Sequence, residues 1–371
     1  MPSVYPGAVD AFSDPLSNSP LSSPSHSQLH SDVNDALEKI ETYVPRRNLL
    51  YNGAMQIHQR GTSTTGITAT GYYTADRWAT QASAGIGTWT QTVENDAPTG
   101  SGFRKSLKML CTTAKTPLDA GSLLMVRQLL EGQDLQLIRK GTSSAEKITI
   151  SFWVKANVTG TYVFSLYDND NNRLCNASYT ISASATWEQK TLTFPADTTG
   201  VLDNDNNASL FAVFHLAAGS TYSSGSLQTT WGTFADANYA PGQVNVAAAT
   251  NNYWQVTGVQ MNVGAVAAPF EFKNFGRELR ECQRYYYRRS NELMSLVRST
   301  TDIFQTAQAH PTRMRATPVL DAGATYTADV GNAGTFIMGY ADVSAATFYN
   351  SANNWTVGAL IRGTYGLSAE F

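Results

Sequence analysis

Two Asp/Asn runs carry the most obvious ligand chemistry in the chain. Asp168-Asn169-Asp170-Asn171-Asn172 recurs as Asp203-Asn204-Asp205-Asn206-Asn207. Alternating carboxylate and amide oxygens at a turn are the donor set that a hard cation such as calcium takes. Asp168, Asp170, Asp203 and Asp205 are therefore the candidate metal ligands, and a structural calcium is the only cofactor expected. Neither run has the glycine and distant Glu of an EF-hand loop, so an Asx-rich hairpin turn is the competing reading.

The second chemistry is sugar binding, in which C–H groups of the ligand pack on exposed aromatic faces and polar side chains take the hydroxyls. Trp153 is the first candidate, because it alternates with Ile150, Phe152 and Val154 and lies opposite to them. Tyr167 and His215 are outward by the same count. A competing reading has this outward face covered by the arm, by a loop or by another subunit. Catalytic constellations are missing. The five histidines form no HExxH pair, no GxSxG elbow exists, and Gly100-Ser101-Gly102 lacks the rest of a nucleotide loop. Glu94, Glu131 and Glu188 are conceivable members of a glycan-cleaving pair, which is defined by space rather than by spacing along the chain. The expectation is that the protein is not an enzyme.

The elements that must hold these residues are mostly strands. Residues 148–154, 161–167, 190–194, 208–216 and 253–263 alternate apolar and polar side chains between Gly, Asn and Asp turn signals, with Gly258 at a bulge. Many alternating strands with no helices between them describe an antiparallel sandwich of jelly-roll type over residues 47–272. Ahead of it, residues 1–25 hold five prolines and no periodicity, which reads as an extended arm. Residues 26–46 open on the capping-box spacing of Ser25 and Gln28 and stop at Pro45. Within them Val33, Leu37, Ile40 and Val44 recur at steps of four, three and four. That is a two-heptad seam, and it predicts a short coiled-coil-like helix that trimerises with copies of itself or packs on its own domain. Residues 273–298 read as a helical, basic connector, with FGRELRECQRYYYR as the helix, and residues 299–371 as a small C-terminal β domain.

Composition narrows the function classes. The 371 residues are only 15% charged but include 18 Tyr and 7 Trp. A net charge of −3 gives no overall attraction to nucleic acid. No apolar run is long enough to predict membrane insertion, and no export signal is expected. The charge is uneven, since residues 273–315 contain nine Lys or Arg against four Asp or Glu. Either an anionic partner or pairing of Arg277, Arg280 and Arg284 with the acidic sandwich accounts for that. Cys111, Cys175 and Cys282 show no metal or disulfide spacing and read as buried hydrophobes.

Three stretches taken together resemble tailed-bacteriophage fibre proteins, of tail or head. YPGAVDAFSDPLSNSPLSSPSHSQLHSDVNDALEKIE is similar to their N-terminal arm-and-helix module. NLLYNGAMQIHQRGTS, GYYTADRW, SFWVKANVTGTYVFSLYD, ATWEQKTLTFPADTTG, WQVTGVQMNVGAVAAPFEF and ELRECQRYYYR resemble a carbohydrate-binding-module-like jelly roll. HPTRMRATPVL and the terminal SAEF resemble the small β unit that often follows, whereas residues 321–355 match nothing in that pattern. The resemblance implies a virion protein assembled in the host cytoplasm, usually a homotrimer. It would dock on a phage tail or capsid protein through residues 1–46 and expose the β domains to host surface glycan or lipopolysaccharide. A purely structural decoration or adaptor role is the alternative, and a surface-polysaccharide depolymerase is a third reading.

Overall fold

The structure is a computed structural model, and it describes residues 48–296, 304–321, 325–328, 333–335, 337–350 and 360–371, with Ser31, Val33 and Asn34 ahead of them. The arm at 1–25 and the seam positions Leu37, Ile40 and Val44 lie outside the described residues. Val33 is helical and 44% exposed.

The chain is mainly β. A six-stranded sheet runs in the order β1 (Ser63–Ile67), β4 (Thr88–Glu94), β5 (Ser106–Thr113), β13 (Tyr253–Val263), β7 (Ile148–Ala156) and β10 (Glu188–Phe194). Facing it is a seven-stranded sheet in the order β12 (Gly232–Thr233), β9 (Arg173–Ile181), β8 (Gly160–Asp168), β11 (Ala208–Ala218), β6 (Leu123–Glu131), β3 (Ala79–Ala82) and β2 (Gly71–Tyr72). Every pairing in both sheets is antiparallel. This is the expected jelly-roll sandwich.

Strand alternation explains the core. Ile148, Ile150, Phe152 and Val154 of β7 point inward with Trp254, Val256, Val259 and Met261 of β13. From the opposite sheet come Tyr162, Phe164 and Leu166 of β8 and Leu210, Ala212, Phe214 and Leu216 of β11. Phe152 meets Phe214 edge-on at 5.0 Å, and Phe164 meets Phe214 at 4.7 Å, the arrangement that ring quadrupoles favour. Strand β6 (LLMVRQLLE) shows no alternation because both of its faces are buried, leaving only Arg127 half-buried. One polar residue inside is satisfied in full, since Gln128 accepts from the Tyr51 amide at 2.7 Å and donates to the Tyr51 carbonyl at 2.8 Å. Gly258 does sit at a bulge, where the β13–β7 register shifts between Thr257 and Gln260. Its φ is +61°, and a Cβ there would stand 2.5 Å from the Phe103 ring, so glycine is required twice over.

Past the sandwich the expected connector is corrected. The helix covers Phe275–Gln283 only, and its cap is Asn274, whose side chain accepts from the Gly276 amide. Tyr286–Leu296, read as part of a helical connector, is instead strand β14, the first strand of the C-terminal unit. The tyrosines there favour the pleated backbone over another helical turn. Among the described residues β14 pairs with β21 (Leu360–Ser368), which in turn pairs with β16 (Val319–Leu320) and β17 (Thr325–Ala328), and β17 pairs with β18 (Ala333–Thr335). A second sheet sets β15 (Phe304–Ala309) and β19 (Ile337–Ala341) on either side of β20 (Ala345–Asn350). Tyr287, Met314, Phe348, Tyr365 and Leu367 form the core of this small β unit.

Candidate functional site

The two Asp/Asn runs are brought side by side by adjacent hairpin ends. Asp170 Oδ2 accepts from the Asp203 amide at 2.9 Å, and the Asn169 amide donates to the Ser209 carbonyl at 2.9 Å. Asp168, however, is fully buried and its carboxylate is held by the Lys140 ammonium. Lys140 Nζ also lies 2.8 Å from Asp197 Oδ2, donates to the Gly200 carbonyl at 3.0 Å and stands 4.6 Å over the Trp231 ring. A side-chain cation thus already occupies a cage of two carboxylates, a carbonyl and a ring face. Arg173 closes its other side, with Nε 2.8 Å from Asp197 Oδ2. A Cβ at Gly200 would come within 2.6 Å of the ammonium, so the cage has no spare room. Asp205 accepts instead from the amide of Asn207 at 2.9 Å. Asp168 is thus taken up by a side-chain cation, and no group of three or more His, Cys, Asp or Glu suited to a metal occurs among the described residues. The Asx-turn reading accounts for both runs.

The outer face of the seven-stranded sheet carries Tyr167 and His215, as the alternation predicts, but the chain's own residues 219–239 cover it. Tyr239 and the half-buried Phe234 and Tyr222 pack there on Leu123, Met125, Leu174 and Val213. His215 is wholly buried, its Nε2 2.8 Å from Ser165 Oγ and its ring edge-on to Tyr239 at 4.6 Å. Burial drives its pKa down to about 3, so it is neutral. His215 is therefore corrected from a ligand contact to a packed residue. Tyr167 is half-buried between Phe211 at 5.3 Å and Phe234 at 5.2 Å, with its hydroxyl donating to Asn172 Oδ1 at 3.1 Å.

The outer face of the six-stranded sheet is different. Trp153 on β7 is half-buried and pairs in register with Gln189 on β10 and Thr257 on β13. Two residues before Gln189, and of the same parity, stands Trp187, also half-buried. Two indoles thus occupy diagonal positions on neighbouring strands of one face, a spacing that side chains of this size can bridge. Polar groups surround Trp187. Lys155 stands 5.0 Å over the Trp187 ring and pairs with Asp96. Asp96 also accepts from Trp187 Nε1 at 3.2 Å and from Gln255 Nε2 at 3.2 Å. Partial burial works against ionisation of Asp96, but the hydrogen bonds from Lys155, Trp187 and Gln255 hold its pKa below the ordinary range. Further along, Lys108 stands 5.0 Å over Tyr253 and 3.9 Å from Glu94. Trp187 and Asp96 were not singled out from sequence, although Trp187, Gln189, Thr191 and Thr193 alternate with Leu192 and Phe194 and place the tryptophan outward.

The carboxylates considered for glycan cleavage are engaged and separate. Glu131 is fully buried and takes a bidentate pair from Arg284 at 2.8 and 2.7 Å together with the Tyr285 hydroxyl. Burial opposes its charge, yet the Arg284 and Tyr285 hydrogen bonds hold the pKa below normal. Glu188 accepts from the Ser182 and Ala183 amides and from Lys190 at 2.6 Å. The basic stretch accordingly turns inward at Arg284, while Arg277 pairs with Glu281 at 3.0 Å.

No known sequence family matches the chain, and no curated protein does. Solved structures align with part of the chain. The enzymatically active domain of tailspike protein 4 from bacteriophage CBA120 aligns over 58% of this chain and 21% of its own, at 13% identity and a TM-score of 0.32. A family 11 carbohydrate-binding module from Clostridium thermocellum, in complex with a mixed-linked tetrasaccharide, covers 55% of this chain and 97% of its own, at 13% identity and 0.27. The CBM22-1 xylan-binding domain from Paenibacillus barcinonensis covers 60% and 97%, at 12% identity and 0.27.

Proposed function

We propose that the protein is a non-enzymatic phage fibre component that adheres to host surface glycan. In this reading residues 1–46 anchor it to a tail or capsid protein, and the seam at Val33, Leu37, Ile40 and Val44 makes it a homotrimer. The observation that carries the adhesive part is the pair of half-buried indoles, Trp153 and Trp187, on one sheet face with Gln189, Lys155 and Asp96 beside them. Rings supply the stacking surface and the amide, ammonium and carboxylate supply hydroxyl partners. Three copies would multiply a weak contact into useful avidity without adding new ones.

The test is a glycan array and host-cell binding assay with the full chain. Trp153→Ala and Trp187→Ala should each weaken binding at least about tenfold, or ~1.4 kcal/mol, while Thr191→Ala, exposed on the same face, leaves it unchanged. Equal binding by all three variants, or no glycan bound at all, would refute adhesion through this face. The second outcome would favour a purely structural decoration protein, the reading supported by the covered Tyr167 and His215.

A further inference from the structure

An exposed aromatic cluster lies at the end of the sandwich where the described chain begins. Phe103, Phe270 and Phe272 pack on one another with ring centroids 4.8, 5.1 and 4.9 Å apart. Phe272 is nonetheless 52% exposed, and Phe275, three residues on, is 57% exposed. Phe103 and Phe270 are half-buried, so the packed rings and Phe275 make a contiguous apolar patch, which marks a contact surface more often than scattered rings do. The Phe103 loop is also held in place from below, because its ring fills the space over Gly258 and Phe272 leans on Gly102.

The position of this cluster says what meets it. Asn48 is fixed beside it, since its amide donates to Glu271 Oε2 at 2.8 Å and its side-chain Nδ2 donates to the Val259 carbonyl at 3.2 Å. Glu271 lies between Phe270 and Phe272 in the chain. Only four residue steps separate Asn48 from Val44, the last position of the apolar seam, and four extended residues reach at most ~14 Å. Helices packed on their seams have axes ~8–10 Å apart. If three seams meet, the three Asn48 residues, and the phenylalanine clusters beside them, are confined near the same axis.

We infer that the Phe103–Phe270–Phe272 cluster, with Phe275 at its rim, is the surface through which each sandwich meets the other two copies at the base of the seam. The inference rests on the trimer proposed above, and it answers the need of a two-heptad seam, too short to hold an oligomer alone, for further contact area.

The experiment uses the full chain carrying Phe272→Cys. Cys111, Cys175 and Cys282 are fully buried, so a maleimide-benzophenone reagent labels residue 272 selectively. Ordinary and nitrogen-15 chains are mixed, allowed to exchange, irradiated and mapped by mass spectrometry, with light scattering on the same sample. Inter-chain products joining residue 272 to residues 95–104 or 264–275 are expected. A trimeric sample with no inter-chain product at 272 overturns the inference and leaves the trimer standing, whereas a monomer at micromolar concentration overturns both. Products joining 272 to residues 1–47 assign the cluster to the arm and also overturn it. Should Phe272→Cys fail to fold, Phe275→Cys carries the same label from the exposed start of the helix. Independently, Phe272→Ser should raise the trimer dissociation constant at least tenfold, and an unchanged constant counts against the contact.

Discussion

At the scale of single residues, the sequence shows which donors are present and not which partners satisfy them. Of the two DNDNN runs only Asp168 meets a cation, the ammonium of Lys140, and the rest of that cage, Asp197 and the Gly200 carbonyl, lies outside both runs. No local pattern signals a lysine that reaches across a fold. Trp153 lies outward as its parity requires, whereas His215, outward by the same count, is buried because residues 219–239 return over its sheet. His215 has a measurable consequence. Its folded pKa of about 3 lies below the ordinary 6.5, so the unfolded chain takes the proton first as pH falls. Its neutral form is harmless above about pH 6.5 and costs stability progressively below that, by about 1.4 kcal/mol per pH unit until the folded value is reached. Asp76 runs the other way, since burial raises its pKa to about 6 and stability from it declines as pH rises between roughly 4 and 6. Denaturant titrations of the protein and of His215→Gln at pH 7 and pH 4.5 separate the two. The native protein should lose about 2–3 kcal/mol more than the variant on acidification, and equal losses would mean His215 is protonated in the fold.

At the scale of elements, strands with one wet face were legible and strands with none were not. Alternation marks β7, β8, β10, β11 and β13 to within two residues, yet β6, LLMVRQLLE, shows no alternation because the segment carrying Tyr222, Phe234 and Tyr239 covers one of its faces and the core the other. The helical period through Phe275, Leu279 and Cys282 is real, but Tyr286 prolongs it only by coincidence, because the chain turns at Arg284 and the tyrosines enter a sheet. The candidate site was half legible for the same reason: Trp153 is flanked by strand on both sides, while Trp187 stands just outside β10 and Asp96 in the loop after β4. The anchoring role proposed for residues 1–46 makes its own prediction. Particles assembled with a chain lacking residues 1–46 should lack the protein, while the truncated chain keeps its β-rich circular-dichroism spectrum and cooperative melt. Normal incorporation would remove the anchoring role.

At the scale of the whole molecule, the two β units are locked by buried charge, and at Arg284 the basic stretch pairs inward with the sandwich as the second of its two readings had it. Arg77 is fully buried, lies 3.4 Å over the Tyr285 ring and pairs with Glu370, next to the Glu131–Arg284 pair. Removing one partner of such a pair strands the other charge, at a cost of ~3–5 kcal/mol. Glu370→Gln should therefore lower the melting temperature and expose residues 286–321 to protease before the sandwich is cut. An unaltered melt and digestion pattern would show that the junction does not depend on this pair. The order of strands has a kinetic side as well. The strand that joins the two halves of the six-stranded sheet, β13, comes after every other strand of the sandwich in the chain, and Leu49 hydrogen-bonds to its Met261 at 3.0 Å. On the ribosome, β1, β4 and β5 must wait as one open-edged leaflet and β7 and β10 as another until residue 263 has emerged. The sandwich is thus assembled late and all at once, with unpaired edges waiting meanwhile for whichever strand arrives first.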